Sequence, residues 1–503
     1  MKILSAEEIR LWDQYTIQNE PINSIDLMER AAHQCLDWLE NNSYTHQHIH
    51  IFCGKGNNGG DGLAIARMLT DRKIPVSVHI LEFGHKGTDD FQTNLARLHQ
   101  YPGVIIRFIQ TRENFPKLDP DDLVIDALLG SGLNRGLDGV TAALVTHIND
   151  SSCVVISIDI PSGLFADRTS KDQVIIKADH TLSFQNYKLS FLLPENGFTI
   201  GEVHILDIGL HADYYQTLSS KYILTDDDTI RALYKPRNRF SHKGNFGHAL
   251  IIAGGFGKIG AAVLAARACL RSGAGLVTTH VPKCGYDIMQ TALPEAMVMT
   301  DFNSSFITKI EDDVSKYDAI GIGPGIGSAS ETRTMLRSVF DQFKKPLALD
   351  ADALNIISAE RELFRNIPQG SVLTPHPKEF ERLFGKTTDD FERMKLALSK
   401  AKELNCVILL KGHHTLIAAP NGTAFFNSTG NAGMATGGSG DVLTGIITSL
   451  LAQNYSSLDA SILGTYIHGL SGDIAASQLS QEAMIAGDII DHIPAAFLHV
   501  SAS

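Results

Sequence analysis

Short apolar runs rich in β-branched residues alternate with helix-patterned stretches along this chain, and they do so twice. The first series is HIHIFCG (48–54), VSVHIL (76–81), DLVIDALLG (122–130), CVVISIDI (153–160), HTLSF (180–184) and EVHILDIG (202–209). The second is HALIIAGG (248–255), GLVTTHV (275–281), AIGIGPG (319–325), LALDADAL (347–354), SVLTPHP (371–377), VILLKG (407–412) and TLIAAP (415–420). Strands that alternate with helices pair in parallel and are covered on both faces, so the expected class is α/β. Helix signals precede the first strand: Ser5 with Glu8 reads as a capping box, and SIDLMERAAHQCLDWLENN has helical periodicity.

Residues 211–240 are polar and irregular, and the linker is placed there, between domains at 1–215 and 225–503. A length of 503 residues suits two to four domains with ample cores. The two halves carry different motifs and are not a tandem repeat.

Lys plus Arg number 43 and Asp plus Glu 56, a net charge of −13. That balance argues against general binding to nucleic acid or an anionic membrane. No apolar run reaches the ~18 residues of a membrane-spanning helix. The start, MKILSAEEIRLWDQ, lacks the apolar core of a secretory signal, so a cytoplasmic address is expected. The six cysteines show no CxxC pair, which disfavours a thiolate zinc site or a disulfide framework.

Four features of the first half converge. GKGNNGGDG, Gly54 to Gly62, lies between a strand and a helix, where glycines permit positive φ and close approach, and helix-start amides suit phosphate. A plain tight turn explains such a run equally; Asn57, Asn58 and Asp61 add oxygen and hydrogen-bonding groups. DALLGSGLNRG puts Asp126 at a strand end before a loop from Gly130 to Gly136, and DIPSG puts Asp159 and Ser162 at another. Open parallel sheets bind ligands at that edge. Such an oxygen cluster suits a hard cation or acid–base work. Lys188, in FQNYKLS, is either a phosphate partner or an ordinary surface lysine.

In the second half, NAGMATGGSGDVLTG (431–445) joins consecutive glycines to a helix onset. The GGSG amides can form an anion hole, and Asp441 in the first turn is placed to act as a general base or as a simple cap. Lys411 in KGHHTLI suits nucleotide phosphate, and His376 in TPHPKEF is held rigid between prolines. GIGPGIG (321–327) and AGGFGKIGAA supply two more glycine loops, while no Walker A pattern occurs.

These motifs resemble a known pair. Through GNNGGDG, VIDALLGSG and IDIPSG, residues 1 to about 215 resemble the YjeF N-terminal domain, a Rossmann-like NAD(P)HX epimerase fold. Through KGNFGHALIIAGG, RSGAGLV, GIGPGIG, LDADAL, LTPHPKEF, LKGHHT and NAGMATGGSGDVLTG, the remainder resembles the ribokinase-like NAD(P)HX dehydratase. The order is that of the bifunctional NAD(P)H-hydrate repair family.

The resemblance implies epimerisation of R and S NADHX and NADPHX, and dehydration of the S form with ADP or ATP. It implies that Asn57, Asn58, Gly59, Gly60 and Asp61 hold the hydrate, that Gly130, Ser131, Gly132, Leu133, Asn134, Arg135 and Gly136 receive its phosphates, and that Asp159 acts at the ring. Asn58, Asp126 and Ser162 match potassium positions. Ala262, Gly325, His376 and Asp441 match hydrate contacts of the dehydratase, with Asp441 its base; Lys411, Gly412, His413, His414, Thr415 and Gly440 match nucleotide contacts. Magnesium is the implied cofactor of the dehydratase, and a homo-oligomer is expected. Lys258 and Ile259 stand where relatives often carry Gly-Met. Two rival readings stay open: a ribokinase-like small-molecule kinase with a non-catalytic N-terminal domain, and an RNA-associated binding role for the first half, which the acidic balance, Asp126 and Asp159 disfavour.

Overall fold

The computed structural model describes residues 1–502 apart from 83 and 85. The chain forms two compact units, one of Lys2–Ser220 with Asp389–Phe391, the other of Met1, Lys221–Thr388 and Glu392–Ser503.

The first unit opens with α1 (Ala6–Asn19), whose Ser5 hydroxyl accepts from the Glu8 amide while the Glu8 carboxylate accepts from the Ser5 amide at 2.8 Å, completing the capping box. Then come α2 (Ser24–Asn41), β1 (Ile49–Cys53), α3 (Asn57–Asp71), β2 (Val76–Leu81), β3 (Ile105–Ile109), β4 (Leu123–Ala127), β5 (Val154–Ile158), β6 (His180–Phe184) and β7 (Glu202–Leu206). The sheet order is β3-β2-β1-β4-β5-β6-β7, with every pair parallel. The chain winds outward from β1 in one direction and from β4 in the other. The loops after β1 and β4 therefore diverge and open a crevice at the carboxyl ends.

Both faces of this sheet are covered. Leu36 and Leu39 of α2 and Leu63 and Leu69 of α3 pack with Ile51, Ile125 and Ile156, while Leu144 and Ile148 pack with Phe52, Val124 and Val155 on the other side. β3 escaped the pattern reading because it is an edge strand: Arg107 interrupts its apolar run, and its residues are mostly exposed. The glycine run also differs from expectation. α3 begins at Asn57, inside GKGNNGGDG, and none of Gly54, Gly56, Gly59, Gly60 or Gly62 has a positive φ. Close packing demands several of them instead. A Cβ on Gly59 would sit 1.8 Å from the Gly54 carbonyl oxygen, and one on Gly62 would sit 2.7 Å from the Ala127 Cβ.

The second unit contains β8 (Tyr222–Leu224), β9 (His248–Ile252), β10 (Leu276–Val281), β11 (Met297–Thr300), β12 (Ala319–Ile322), β13 (Leu347–Leu349), β14 (Val372–Leu373), β15 (Val407–Leu410), β16 (Leu416–Ala418) and β17 (Ala424–Phe426). They form one sheet, β11-β10-β9-β12-β13-β14-β15-β16-β17-β8. Its switch point lies between β9 and β12. The sheet is parallel except for the antiparallel β15-β16-β17 meander, so the expectation of a parallel sheet holds only for its larger part. Ala249 and Ile251 face the helices Ile259–Arg271 and Ser439–Ala452, and Leu250 and Ile252 face the opposite core.

Residues 211–240 are irregular only in part, at 218–221 and from 234 on. They hold the helix Ala212–Thr217, then β8, then the helix Asp227–Leu233, which Asp226 caps through the Thr229 amide. The polar side chains of the two short helices mimic a linker in composition.

Candidate functional site

In the first unit a cavity of about 500 Å³ opens at the carboxyl ends of β1, β4 and β5. It gathers Asn57, Asn58 and Asp61 from the start of α3, Gly130 to Arg135 from the loop after β4, and Asp159 from the end of β5. Gly59 and Gly60 are buried within α3, and Gly136 lies outside the lining. The loop closes tightly on Asp159 and Asn58: a Cβ on Gly130 would sit 3.2 Å from Asp159 Oδ2 and 3.3 Å from the Asn58 Cβ.

Asp159 has φ +66°, a left-handed conformation rare outside glycine, as strand β5 turns into the cavity wall. Its Oδ2 accepts from the Ser131 amide at 3.0 Å and its Oδ1 from Lys188 Nζ at 2.6 Å. Lys188 is 1% exposed and also donates to Ser183 Oγ at 2.6 Å. It is not a surface lysine but the enclosed counter-cation of Asp159. Burial pushes the Asp159 carboxyl up, yet the Lys188 ammonium and the Ser131 amide outweigh it and hold the group below the ordinary carboxylate range.

Sequence reasoning missed Asp13, which reaches the same cavity from α1. Burial, then the Asp159 charge, raise it to about 7, against the opposing pull of Lys188. Asp61 is also held well above its ordinary value by burial and by Asp159. The helix α1 gave no sign of this, because Asp13 reads there as one more solvent-facing acid.

Asp126 and Ser162 lie beneath the cavity, both fully buried. Asp126 accepts from Ser162 Oγ at 2.6 Å, the Ser162 amide at 2.8 Å, Ser157 Oγ at 2.9 Å and the Leu128 amide at 3.2 Å. All four donors are neutral, and burial holds the carboxyl above its usual value despite them. The buried carboxamide of Asn58 has no hydrogen-bond partner on either its oxygen or its nitrogen.

In the second unit a cavity of about 650 Å³ lies at the carboxyl ends of β14 and β15. Its walls bring together His376, Lys411, Gly412, His413, Thr415 and Gly440. The helix Ser439–Ala452 starts there behind Gly438, whose φ is +94°. Its first-turn amides have no intrahelical acceptor and face outward as donors. Asp441, in that first turn but outside the lining, is raised to about 6 by burial and then by the Asp350 charge, against Lys411.

Asp350, at the end of β13, was read only as part of a strand motif. It is 2% exposed and bridges two site elements, accepting from Lys411 Nζ at 2.7 Å and from Thr444 Oγ1 at 2.8 Å. The following Ala351 has φ +48°, so the chain bends sharply to present this carboxylate. Asp473 fixes the glycine loop, accepting from the Gly430 amide and from Asn431 Nδ2, both at 2.8 Å.

Other expected positions fall differently. His376 caps the helix Pro377–Phe384 by accepting the Lys378 amide at 3.1 Å, so it is both a structural cap and part of the wall. His414 turns inward to the Asn427 carbonyl and is outside the lining. Ala262 is fully buried in the helix Ile259–Arg271, and Gly325 (φ +69°) sits in the loop after β12; neither lines this cavity. His468 is an addition: burial lowers it to about 4, keeping it neutral beside Ser439.

Comparison with known proteins gives a consistent picture. A family model described as YjeF-related protein N-terminus matches residues 24–190, and one described as NAD(P)H-hydrate dehydratase matches residues 249–495. The bifunctional NAD(P)H-hydrate repair enzyme Nnr of Moorella thermoacetica is 34% identical over 98% of this chain and 96% of its own length. Its counterpart in Escherichia coli is 31% identical over 96% and 92%. A crystal structure of the ADP/ATP-dependent NAD(P)H-hydrate dehydratase of Bacillus subtilis, with ATP and Mg2+, is 30% identical with a TM-score of 0.49, covering 56% of this chain and 99% of that one.

Proposed function

The chain belongs to the family of bifunctional NAD(P)H-hydrate repair enzymes, and from that membership we propose how its two units divide the work. The enzyme interconverts the R and S epimers of NAD(P)HX and dehydrates the S form to NAD(P)H. The kinase reading is not favoured, because the likeness runs through both units rather than the ribokinase-like half alone.

The first unit is the epimerase. What supports this is the pairing of one carboxyl held low, Asp159, with one raised to about 7, Asp13, on a single cavity. Two carboxyls driven apart in this way act as base and acid. Ring opening needs a base at the C6 hydroxyl and an acid at the ring nitrogen. Water loss needs an acid at the hydroxyl and a base for the returning water. The pair serves either route. The loop Gly130–Arg135 and the start of α3 receive the phosphates of the hydrate.

Potassium fits beside this cavity. The orphaned Asn58 carboxamide offers an oxygen, and Asp126 is a buried carboxyl held only by neutral donors. Asn58, Asp126 and Ser162 would hold the ion, which would favour the ionised Asp126 carboxylate and fix the floor of the site.

The second unit is the dehydratase, with ADP or ATP as phosphoryl donor. Lys411, Gly412 and the first-turn amides after Gly438 receive the phosphates. Magnesium would enter with them, and the hard oxygens of Asp350 suit it. Asp441 takes the proton of the C6 hydroxyl as its oxygen attacks the terminal phosphorus. The bond to the bridging oxygen breaks, and AMP leaves from ADP, or ADP from ATP. The ring nitrogen's electrons then expel phosphate from C6, and loss of the C5 proton restores the double bond.

A recovery assay tests the whole reading. The chain is mixed with both NADHX epimers, magnesium, potassium and ADP or ATP, and near-ultraviolet absorbance is followed. Full recovery, faster than spontaneous epimerisation, is expected. A plateau at the S fraction would refute the epimerase, and no recovery with either nucleotide would refute the dehydratase.

A further inference from the structure

At the amino-terminal edge of the first sheet, on the side opposite the epimerase cavity, three side chains converge. His180 begins β6 and Glu202 begins β7, and the two are register partners; His204 pairs with Leu182 two residues on. Residues two apart on a strand share a face, so all three project to the same side. His180 Nδ1 lies 3.2 Å from His204 Nε2, and both nitrogens approach Glu202 Oε2, at 3.8 and 3.9 Å. Among the described residues this is the group of three whose ligand atoms lie within 4.8 Å of one another.

We propose that His180, Glu202 and His204 form a divalent transition-metal site, with zinc the natural occupant. Two ligand atoms on one tetrahedral zinc lie about 3.4 Å apart, given bonds of about 2.1 Å. The two imidazoles already meet that spacing. The Glu202 side chain is 71% exposed, so it can swing the few tenths of an ångström required. Two imidazoles and one carboxylate suit zinc, nickel or copper and disfavour magnesium and calcium, which take oxygen ligands. Water completes the coordination.

The surroundings hold the rings as metal ligands are held. His180 Nε2 lies 2.8 Å from the Tyr44 hydroxyl, and with Nε2–H donating to that oxygen the Nδ1 lone pair faces His204 and Glu202. Trp38 packs on both imidazoles, with ring centroids 5.1 and 4.8 Å away. The site joins β6 to the edge strand β7, and its role is to clamp that edge rather than to take part in epimerisation.

The test uses the tag-free full chain stripped with a chelator. Zinc is titrated by calorimetry, and cobalt(II) by its visible absorption. One equivalent is expected to bind, with a cobalt band of nitrogen–oxygen character. The melting transition of the first unit should rise by roughly 5–10 °C at a hundredfold excess over the dissociation constant. His204→Ala should abolish the band. Glu202→Gln, at an exposed position that leaves the fold intact, should weaken binding by about tenfold or more. Both epimerase and dehydratase rates should stay unchanged in Glu202→Gln. No cobalt band in the native chain, or an equal band and affinity in Glu202→Gln, would overturn the proposal and leave the histidines as a plain N–H···N pair.

Discussion

Lys188 places its ammonium 2.6 Å from Oδ1 of Asp159 while only 1% of its own side chain is exposed. The pair balances two large opposing effects. Burial alone raises the Asp159 carboxyl, and Lys188 reverses that. Because the folded value is depressed, the pair stabilises the fold above the unfolded carboxylate value near 3.9 and loses that contribution as pH falls through the lower folded value. Lys188→Met should destabilise the first unit by about 3–5 kcal/mol. It should also move the acid limb of epimerisation upward. Thermal unfolding together with a pH–rate profile checks both, and an unmoved acid limb in a folded variant would sink the idea that Lys188 sets the charge of Asp159.

Asp13 gives the other limb. Raised to about 7, chiefly by burial, it is protonated below that pH and able to donate. Epimerisation should therefore fall as pH rises through about 7. Asp13→Asn should lower the rate at pH 6 and flatten this fall, leaving dehydration untouched. Persistence of the native alkaline limb in the Asp13→Asn chain would remove Asp13 as the acid.

Asp441 predicts the reverse pH dependence for the second activity. Its value of about 6 means that dehydration should rise as pH increases through 6. Asp441→Asn should cut turnover by about 10²–10⁴-fold. A raised carboxyl stabilises the fold below its unfolded value and loses that contribution as pH climbs through about 6. At pH 8 the variant should therefore melt no lower than the native chain. Single-turnover assays and melting curves at pH 5 and pH 8 decide it.

Gly445 sets the approach of two helices. A Cβ there would lie 2.1 Å from the Ala265 carbonyl oxygen, across the contact between Ser439–Ala452 and Ile259–Arg271. Gly445→Ala, ordinarily favourable within a helix, should cost about 1–3 kcal/mol by overpacking. It should also reduce dehydration by shifting the first-turn amides. A melting point equal to the native one would show that the crossing yields more easily than its geometry implies.

Potassium dependence should be confined to epimerisation. Exchange of potassium for choline should slow that step alone, and Asn58→Ala should make it indifferent to the exchange. Equal sensitivity of native and variant chains would place the ion elsewhere.

The strand series was legible because buried parallel strands are apolar on both faces, and HTLSF and VSVHIL became β6 and β2 with the bounds expected. The glycine loops were legible as places where chain segments approach closely. Lys188 was not, because nothing in FQNYKLS distinguishes an enclosed ammonium from a solvated one until β5 and β6 stand side by side. Asp350 was hidden for a related reason: its partners, Lys411 and Thr444, lie 61 and 94 residues away. β3 and β8 were lost because Arg107 breaks the apolar run of β3 and β8 is only three residues long.

The enclosure of Lys188 has a chemical corollary. Lysine amines are the usual targets of aldehydes and activated acyl groups, which must collide with the nitrogen to react. An amine with 1% of its side chain open offers no such collision short of local unfolding. Lys411, with 23% exposed, has no equivalent shield. An enzyme that reverses accidental damage to a cofactor thus keeps one of its two site lysines out of reach of accidental damage to itself.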